Sequence, residues 1–426
     1  MSRESLKPFI AVGAALVAVL VGLLVQMDMT MSIVLALLVG ARLFFADNPK
    51  AVKIVSVGLI VWAIALPLFH VEAGGFIDDA VLALAYAVMA LGLNIIVGFA
   101  GLLDLGYVAF FAIGALAAGW FMSGFFFDAN VHVFVSGVAS ELPGIHLNFL
   151  LVLVIAVVLC TAAGMVIGLP TLRLRGDYIA IVTLAFGEIA GRLVLNGDEI
   201  TVGGQKLTNG RQGITPIDKI DLPFTAPFES LNLRPWFWLA LAMLLLVLFV
   251  NYRLRDSRLG RAWIALREDE VAAASMGVPL VKTKLLAYGT GAAFGGMSGA
   301  FLASLSNTVN ADQFQFSFSI FILAMVILGG LGSIEGVVVG AIALTYINFR
   351  LIPDVLNDVP SKVGLDFDLS ELSFGIFGFL LVIMMVMRPE GLIPERRRKL
   401  ELAEGIGAGE TASAGGSVET VYEARG

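Results

Sequence analysis

The residues best placed to do work in this chain are crowded into one charged stretch, RLRDSRLGRAWIALREDEVAAASMGVPLVKTKLLA, running from Arg253 to Ala287. Arg253, Arg255, Asp256, Arg258, Arg261, Arg267, Glu268, Asp269 and Glu270 are nine ionisable side chains in close succession. One ionised side chain at the centre of a bilayer costs about 2.5–3.5 kcal/mol, so nine unpaired ones would cost roughly 20 kcal/mol or more. Spanning-length apolar runs flank the stretch, so it is read as a loop in water between membrane helices. Its segment Leu266–Met276 reads as a short helix with Glu268, Asp269 and Glu270 in the first turn, where carboxylates suit the positive helix end. Ala272, Ala273, Ala274 and Met276 give it a small apolar surface, and Gly277-Val278-Pro279 ends it. The chemistry on offer is recognition: such a helix fits a groove on another protein. The bland alternative is a solvated connector that touches nothing.

Three further groups carry polar or packing chemistry. Glu188 and Arg192 are four residues apart within an apolar run and so share a helix face, in the favourable Glu-before-Arg order. They read either as a self-neutralising pair or as groups lining a pathway. Asp104 sits in the Gly-rich interruption 98–106, where it either caps a helix start or lines a cavity. Ala287, Gly291, Gly295, Gly299 and Ala303 recur every four residues, a stripe of small side chains that lets another backbone approach closely. A second Gly-rich interruption at 329–336 echoes 98–106; each carries one carboxylate and joins two apolar runs.

What is missing narrows the chemistry. No G-x-x-x-x-G-K-[ST] loop is present, so the chain has no P-loop ATP site of its own. H-E-x-x-H and G-x-S-x-G are also absent, and Phe294 stands where a G-x-G-x-x-G motif starting at Gly289 needs its last glycine. The lone cysteine, Cys160, excludes an intramolecular disulfide, and His70, His132 and His146 have no metal-ligand spacing. The reading is therefore not an enzyme, with no cofactor and no metal. Positive charge hugs the apolar runs, which disfavours nucleic acid as a partner.

The elements that must position these groups are membrane helices. Hydrophobic residues make up 58% of the 426-residue chain and charged residues 14%, against about 25% charged in a soluble domain; mean hydropathy is +0.92. By the criterion of roughly 20 residues per span, apolar runs lie near 9–25, 29–45, 54–69, 80–97, 107–127, 149–169, 178–195, 235–251, 285–306, 318–334, 337–350 and 373–387. The fold expected is an all-α polytopic membrane protein of about ten to twelve spans, some broken or re-entrant. The first run is read as a retained helix, since no small-x-small cleavage site follows it.

Lys and Arg cluster in alternate connections: Arg42, Lys50 and Lys53; Arg173 and Arg175; the loop 253–284; and Arg388 with Arg396–Lys399. Connections 70–79, 128–148 and 307–317 hold none, which assigns both termini and the charged loop to the cytoplasm. Loop 196–234, rich in Gly, Thr, Asn and Pro, then faces outward and is read as functional or disordered. The Gly/Ala/Ser/Glu-rich tail 399–426 is read as disordered.

GLPTLRLRGDYIAIVTLAFGEIAGRLVLN (168–196) with NGRQGI (209–214) resembles the LivM-type permease subunit of branched-chain amino acid ABC importers. SRLGRAWIALREDEVAAASMGVPLVKTKLLAY (257–288) and FSFSIFILAMVILGGLGSIEGVVVGA (316–341) are similar to two further blocks of that family. The resemblance implies a permease domain over 76–398 and extra membrane spans over 1–75. It implies a second permease of the LivH type, two ATPase subunits, and a periplasmic binding protein delivering leucine, isoleucine or valine. The family's ATPase-facing motif, E-A-A followed by glycine, is matched loosely by Glu270, Ala272, Ala273 and Gly277, with Arg267, Glu268 and Asp269 beside it. Urea or short amides are the alternative cargo, and an ion-coupled secondary transporter the alternative class. The location implied is the bacterial inner membrane, in contact with its lipid.

Overall fold

The computed structural model describes residues 49–69, 75–135, 141–172, 177–222, 227–229, 232–357, 372–387 and 391–393, with the single positions 35, 37, 39 and 174. The expected runs 9–25 and 29–45 and the tail 399–426 lie essentially outside these residues. The helices are α1 (Pro49–Phe69), α2 (Phe76–Asn94, running on as a π turn, Ile95–Phe99), α3 (Val108–Phe121) and α4 (Phe149–Thr171). They continue as α5 (Asp177–Leu195), α6 (Leu233–Arg255), α7 (Arg258–Glu268), α8 (Glu270–Ser275), α9 (Leu280–Ser306), α10 (Phe316–Gly329), α11 (Ile334–Tyr346, extended by a π segment to Leu356) and α12 (Ser373–Met387). Among the described residues, six segments are long and apolar enough to cross a membrane: those of α2, α4, α5, α6 and α11, and Ala311–Gly329, which takes in α10 and the turn ahead of it.

The bundle is wound around α9, a long helix rich in glycine, alanine and serine. Its 27 residues make about 40 Å at 1.5 Å per residue, enough to cross a bilayer. Every residue from Gly291 to Ser304 is buried, with α2, α3 and α4 packed against it. A Cβ at Gly291 would come 2.6 Å from the Ile96 side chain and 2.8 Å from the Gly92 carbonyl of α2. At Gly295 it would come 3.1 Å from both Phe110 Cβ and the Tyr107 hydroxyl, and at Gly299 it would run into the Phe111 carbonyl of α3. Lipid tails are as apolar as leucine side chains, so close packing has to supply the association energy that water supplies in soluble proteins. Tyr107 pins the crossing by donating to the Gly291 carbonyl at 2.8 Å.

The expected run 107–127 stops being helix at Phe121. Met122–Ser123 (β1) pair antiparallel with Gly144–Leu147 (β3), and Asn130–Val133 (β2) pair parallel with β3. This three-stranded sheet, unforeseen in an all-α reading, caps one end of the bundle. It is tied to the long loop through buried His146, whose Nδ1 lies 2.6 Å from Asp218 Oδ2, and the His132 ring stacks on His146. Burial raises the Asp218 carboxyl from its ordinary value, and the hydrogen bond from His146 and the charge of both histidines offset only part of that rise. Asn148 caps α4 and donates to the Asp221 carbonyl at 2.6 Å. The described part of loop 196–234 is thus ordered, with a short hairpin of β4 (Thr201–Val202) and β5 (Gln205–Lys206) and an Ile214–Val309 bridge.

Overpacking a close helix crossing costs about 1–3 kcal/mol or more. Gly299→Leu should therefore lower the thermal midpoint of the purified protein in detergent by several degrees. Gly378→Ala, where an added Cβ meets nothing within 4 Å, should leave it unchanged.

Candidate functional site

At the end of the bundle away from the sheet, the charged loop folds as two helices instead of one. Asp269 breaks them apart with an extended backbone, φ −155° and ψ 112°. Its carboxylate accepts the amides of Val271 at 2.8 Å and Ala272 at 3.0 Å, the bonding of an N-cap. The helix expected over Leu266–Met276 is corrected accordingly: Leu266, Arg267 and Glu268 close α7, and of the three carboxylates only Glu270 stands in the first turn of α8. The physical reason is that an Asp side chain bonds nearby amides better from outside a helix than from within it. Gly277, at φ +83°, ends α8 in a conformation that favours glycine.

Side chains from this hinge enter the bundle at three places. Lys284, in the second turn of α9 with a side chain only 2% exposed, donates to Glu270 Oε1 at 2.7 Å. Arg267 Nη1 donates to the Gly98 carbonyl at 2.8 Å, where α2 loosens into its π turn. Trp263, fully buried, donates its indole N–H to the Thr283 carbonyl at 2.9 Å. A π turn leaves backbone groups displaced from the regular ladder and often marks a functional bend. Gly101, at φ +69°, leaves room for Arg267, whose Cγ would lie 2.5 Å from an added Cβ.

The two Gly-rich interruptions meet here. Asn94 Oδ1 accepts the Gly332 amide at 2.9 Å, and a Cβ on Gly98 would come 2.6 Å from that same nitrogen. The α10–α11 break therefore lies against the α2 break, and Arg267 touches the latter. Asp104 is buried, 2% exposed, and its Oδ1 accepts the Gly106 amide at 2.8 Å just ahead of α3. The Oδ1 contact is that of a group structuring a helix entry, while Oδ2 is buried with no hydrogen-bond partner among the described residues. Leu105 N–H next to it donates to Thr183 of α5 at 3.0 Å.

Glu188 and Arg192 do not pair: among the described residues no ion pair joins them. Both are exposed, on a face of α5 shared with Ile181, Ile189 and Leu193. On the hinge, Val271, Ala272 and Met276 are exposed while Ala273 is buried against the bundle. The sequence reading did not assign roles to Asn94, Trp263 or Lys284. Asn94 carried a signal, being the one amide side chain in an otherwise apolar run. Lys284 carried none, since its partner lies 14 positions away.

Removing the acceptor for a buried amide costs about 1–3 kcal/mol. Asp104→Ala should lower the thermal midpoint of the detergent-solubilised protein by several degrees, whereas Asp104→Asn, which keeps an oxygen for Gly106, should stay near the parent.

The chain matches the family described as "Branched-chain amino acid transport system / permease component" over residues 75–385. It is 38% identical to the high-affinity branched-chain amino acid transport system permease protein LivM of Escherichia coli (strain K12), over 84% of this chain and 79% of that protein. A probable LivM of Methanocaldococcus jannaschii is 26% identical over 73% of this chain and 91% of its own length. LivH of Escherichia coli (strain K12) is 25% identical over 61% of this chain and 79% of its own length. No solved structure matches. The membrane helices arranged around α9 are thus those of a multi-pass membrane protein, and the chain belongs to the branched-chain amino acid transport permease family, in its LivM-type branch.

Proposed function

We propose that this chain is one of two permease subunits in an ATP-driven importer of leucine, isoleucine and valine. Its own part is to convert movement of an ATPase into movement of the pathway helices. The observation that carries this is the hinge: a short exposed helix, α8, tied to the central helix by the Glu270–Lys284 pair. The LivM relative's description supports branched-chain amino acids over urea or short amides. The LivH likeness supports a second permease of related sequence.

On this reading the hinge faces the cytoplasm, as the Lys and Arg placement requires, with two ATPase subunits beneath it. The exposed Val271, Ala272 and Met276 are the surface those subunits grip, and Gly277 ends that surface. Closure of the ATPases on ATP presses α8. Glu270–Lys284 passes the displacement to α9, and Arg267 passes it to the α2 break and from there to the α10–α11 break. Because the glycine stripe locks α9 against α2 and α3, the displacement moves helices as rigid bodies.

Glu188 and Arg192 lie on the exposed face of α5, where bare lipid would cost about 2.5–3.5 kcal/mol per charge. For Glu188, further from the helix end than Arg192, that cost favours a face turned to the second permease and the pathway between the two. The sheet and loop 196–234 face outward, toward a periplasmic binding protein. Residues 76–398 are read as the permease domain, in line with the family match over 75–385.

Removing one partner of a buried ion pair costs about 3–5 kcal/mol, because it strands the other charge. In proteoliposomes of the complete importer, Glu270→Gln should cut leucine uptake at least tenfold while ATP hydrolysis continues. The swapped pair Glu270→Lys with Lys284→Glu should recover part of the loss. Parental uptake by Glu270→Gln, with normal assembly, would remove the hinge from the mechanism.

A further inference from the structure

A cavity of about 490 Å³ opens at the other end of the bundle, among the start of α2, the end of α9 and the start of α10. Small-molecule sites occupy about 300–1,000 Å³, so it has the size for an amino acid. Its lining combines an apolar floor, where Phe111 and Phe318 lie with ring centroids 4.9 Å apart beside Leu302 and Leu305 of α9, with the neutral polar side chains of Ser306, Gln313, Gln315 and Ser317. Its rim carries Asp78 and Asp312, both exposed, and neither makes an ion pair among the described residues.

Tyr86 supplies an independent observation. It lines the cavity at 8% exposure, and its hydroxyl has no hydrogen-bond partner among the described residues. The oxygen itself is not sealed off, so it opens on the cavity and is free to bond a ligand there. Its ring packs edge-on against Phe318 at 5.7 Å, which sets Tyr86 beside the first turn of α10. That helix begins at Phe316 with no side chain capping its amides. Uncapped amides and a free hydroxyl together suit a carboxylate.

We infer that this cavity is an amino-acid-binding site belonging to the permease itself, filled by a zwitterion with a branched aliphatic side chain. Asp78 and Asp312 hold the ammonium, Tyr86 and the start of α10 hold the carboxylate, and the aliphatic chain lies on Phe111, Phe318 and Leu302. No charged side chain lines the floor, which matches a cargo apolar beyond its α-carbon. This rests on reading the chain as an amino-acid permease. The cavity lies at the end opposite Lys284 and Gly98, so α9 and α2 each run from the hinge to this site. Substrate binding and hinge movement would then bias the same two helices.

The test is equilibrium binding of radiolabelled leucine to the intact permease–ATPase complex in detergent, without the binding protein. The parent should bind leucine saturably, with leucinol (no carboxylate) and 4-methylpentanoate (no ammonium) each competing at least tenfold more weakly. The near-isosteric pair Asp78→Asn with Asp312→Asn should weaken leucine at least tenfold while the complex assembles normally. Leu302→Trp should fill the cavity and abolish binding. Two results would overturn the site: no leucine bound by a complex that still imports leucine with its binding protein, or undiminished binding by the double variant. Equal competition by 4-methylpentanoate and leucine would also overturn it, showing a merely apolar groove. A parent complex that imports no leucine even with its binding protein would instead refute the transport reading beneath it.

Discussion

Close approach of backbones around α9 is the condition on which this bundle depends. Inside a membrane, burying a leucine against another leucine gains little over leaving it in lipid, so helices associate where shapes fit. The stripe Gly291–Gly295–Gly299 admits Ile96 and the Phe111 carbonyl to distances that an added Cβ would violate, and Phe110 to one that it would crowd. Neighbouring α4 uses the same device from its own side, where a Cβ at Gly164 would come 2.7 Å from Ala292 Cβ. A helix gripped on several faces at backbone range cannot bend independently of its neighbours. Rigidity is the mechanical consequence, and it makes α9 suited to carrying a displacement over its length.

That rigidity gives meaning to the features at its two ends. Lys284 enters the bundle near the first turn and Leu302–Leu305 line the cavity near the last. The backbone irregularities lie elsewhere: the π turn at Ile95–Phe99, the glycines at 330 and 332 with φ of +119° and +83°, and the break at Asp269. Packed elements switch between discrete arrangements and do not deform smoothly, so irregular joints between straight helices are the places where two arrangements can differ. Arg267, just ahead of the Asp269 break, reaches the π turn directly through the Gly98 carbonyl.

Much of this was legible in the residues. Ten described helices fall on runs read from apolarity alone, because a span is a composition signal. The small-residue stripe and the watery charged loop were equally plain, since each is local. The split of that loop at Asp269 was not, because REDE supplies several carboxylates and only the folded backbone decides which one caps. The meeting of the two Gly-rich breaks could be seen only as a resemblance between segments, since Asn94 and Gly332 are 238 positions apart. Glu188 and Arg192 show the reverse error. Four-residue spacing makes a pair geometrically available, but spacing does not say whether two long side chains prefer one another to the surface they share. The strands at 122–123, 130–133 and 144–147 were hidden by their brevity.

The choice of an ion pair at the hinge, where an apolar contact would pack as well, has its own logic. A buried pair contributes little net stability, because desolvation offsets most of the attraction, yet breaking it is expensive. Such a contact therefore resists separation without tightening the resting fold. Glu270 is the more exposed partner, at 25% against 2% for Lys284, so the α8 side of the pair is the one open to solvent. An apolar contact in its place would tolerate sliding, since dispersion is non-directional. A charge-assisted hydrogen bond at 2.7 Å holds one register, which is what the proposed transmission of movement from α8 to α9 requires.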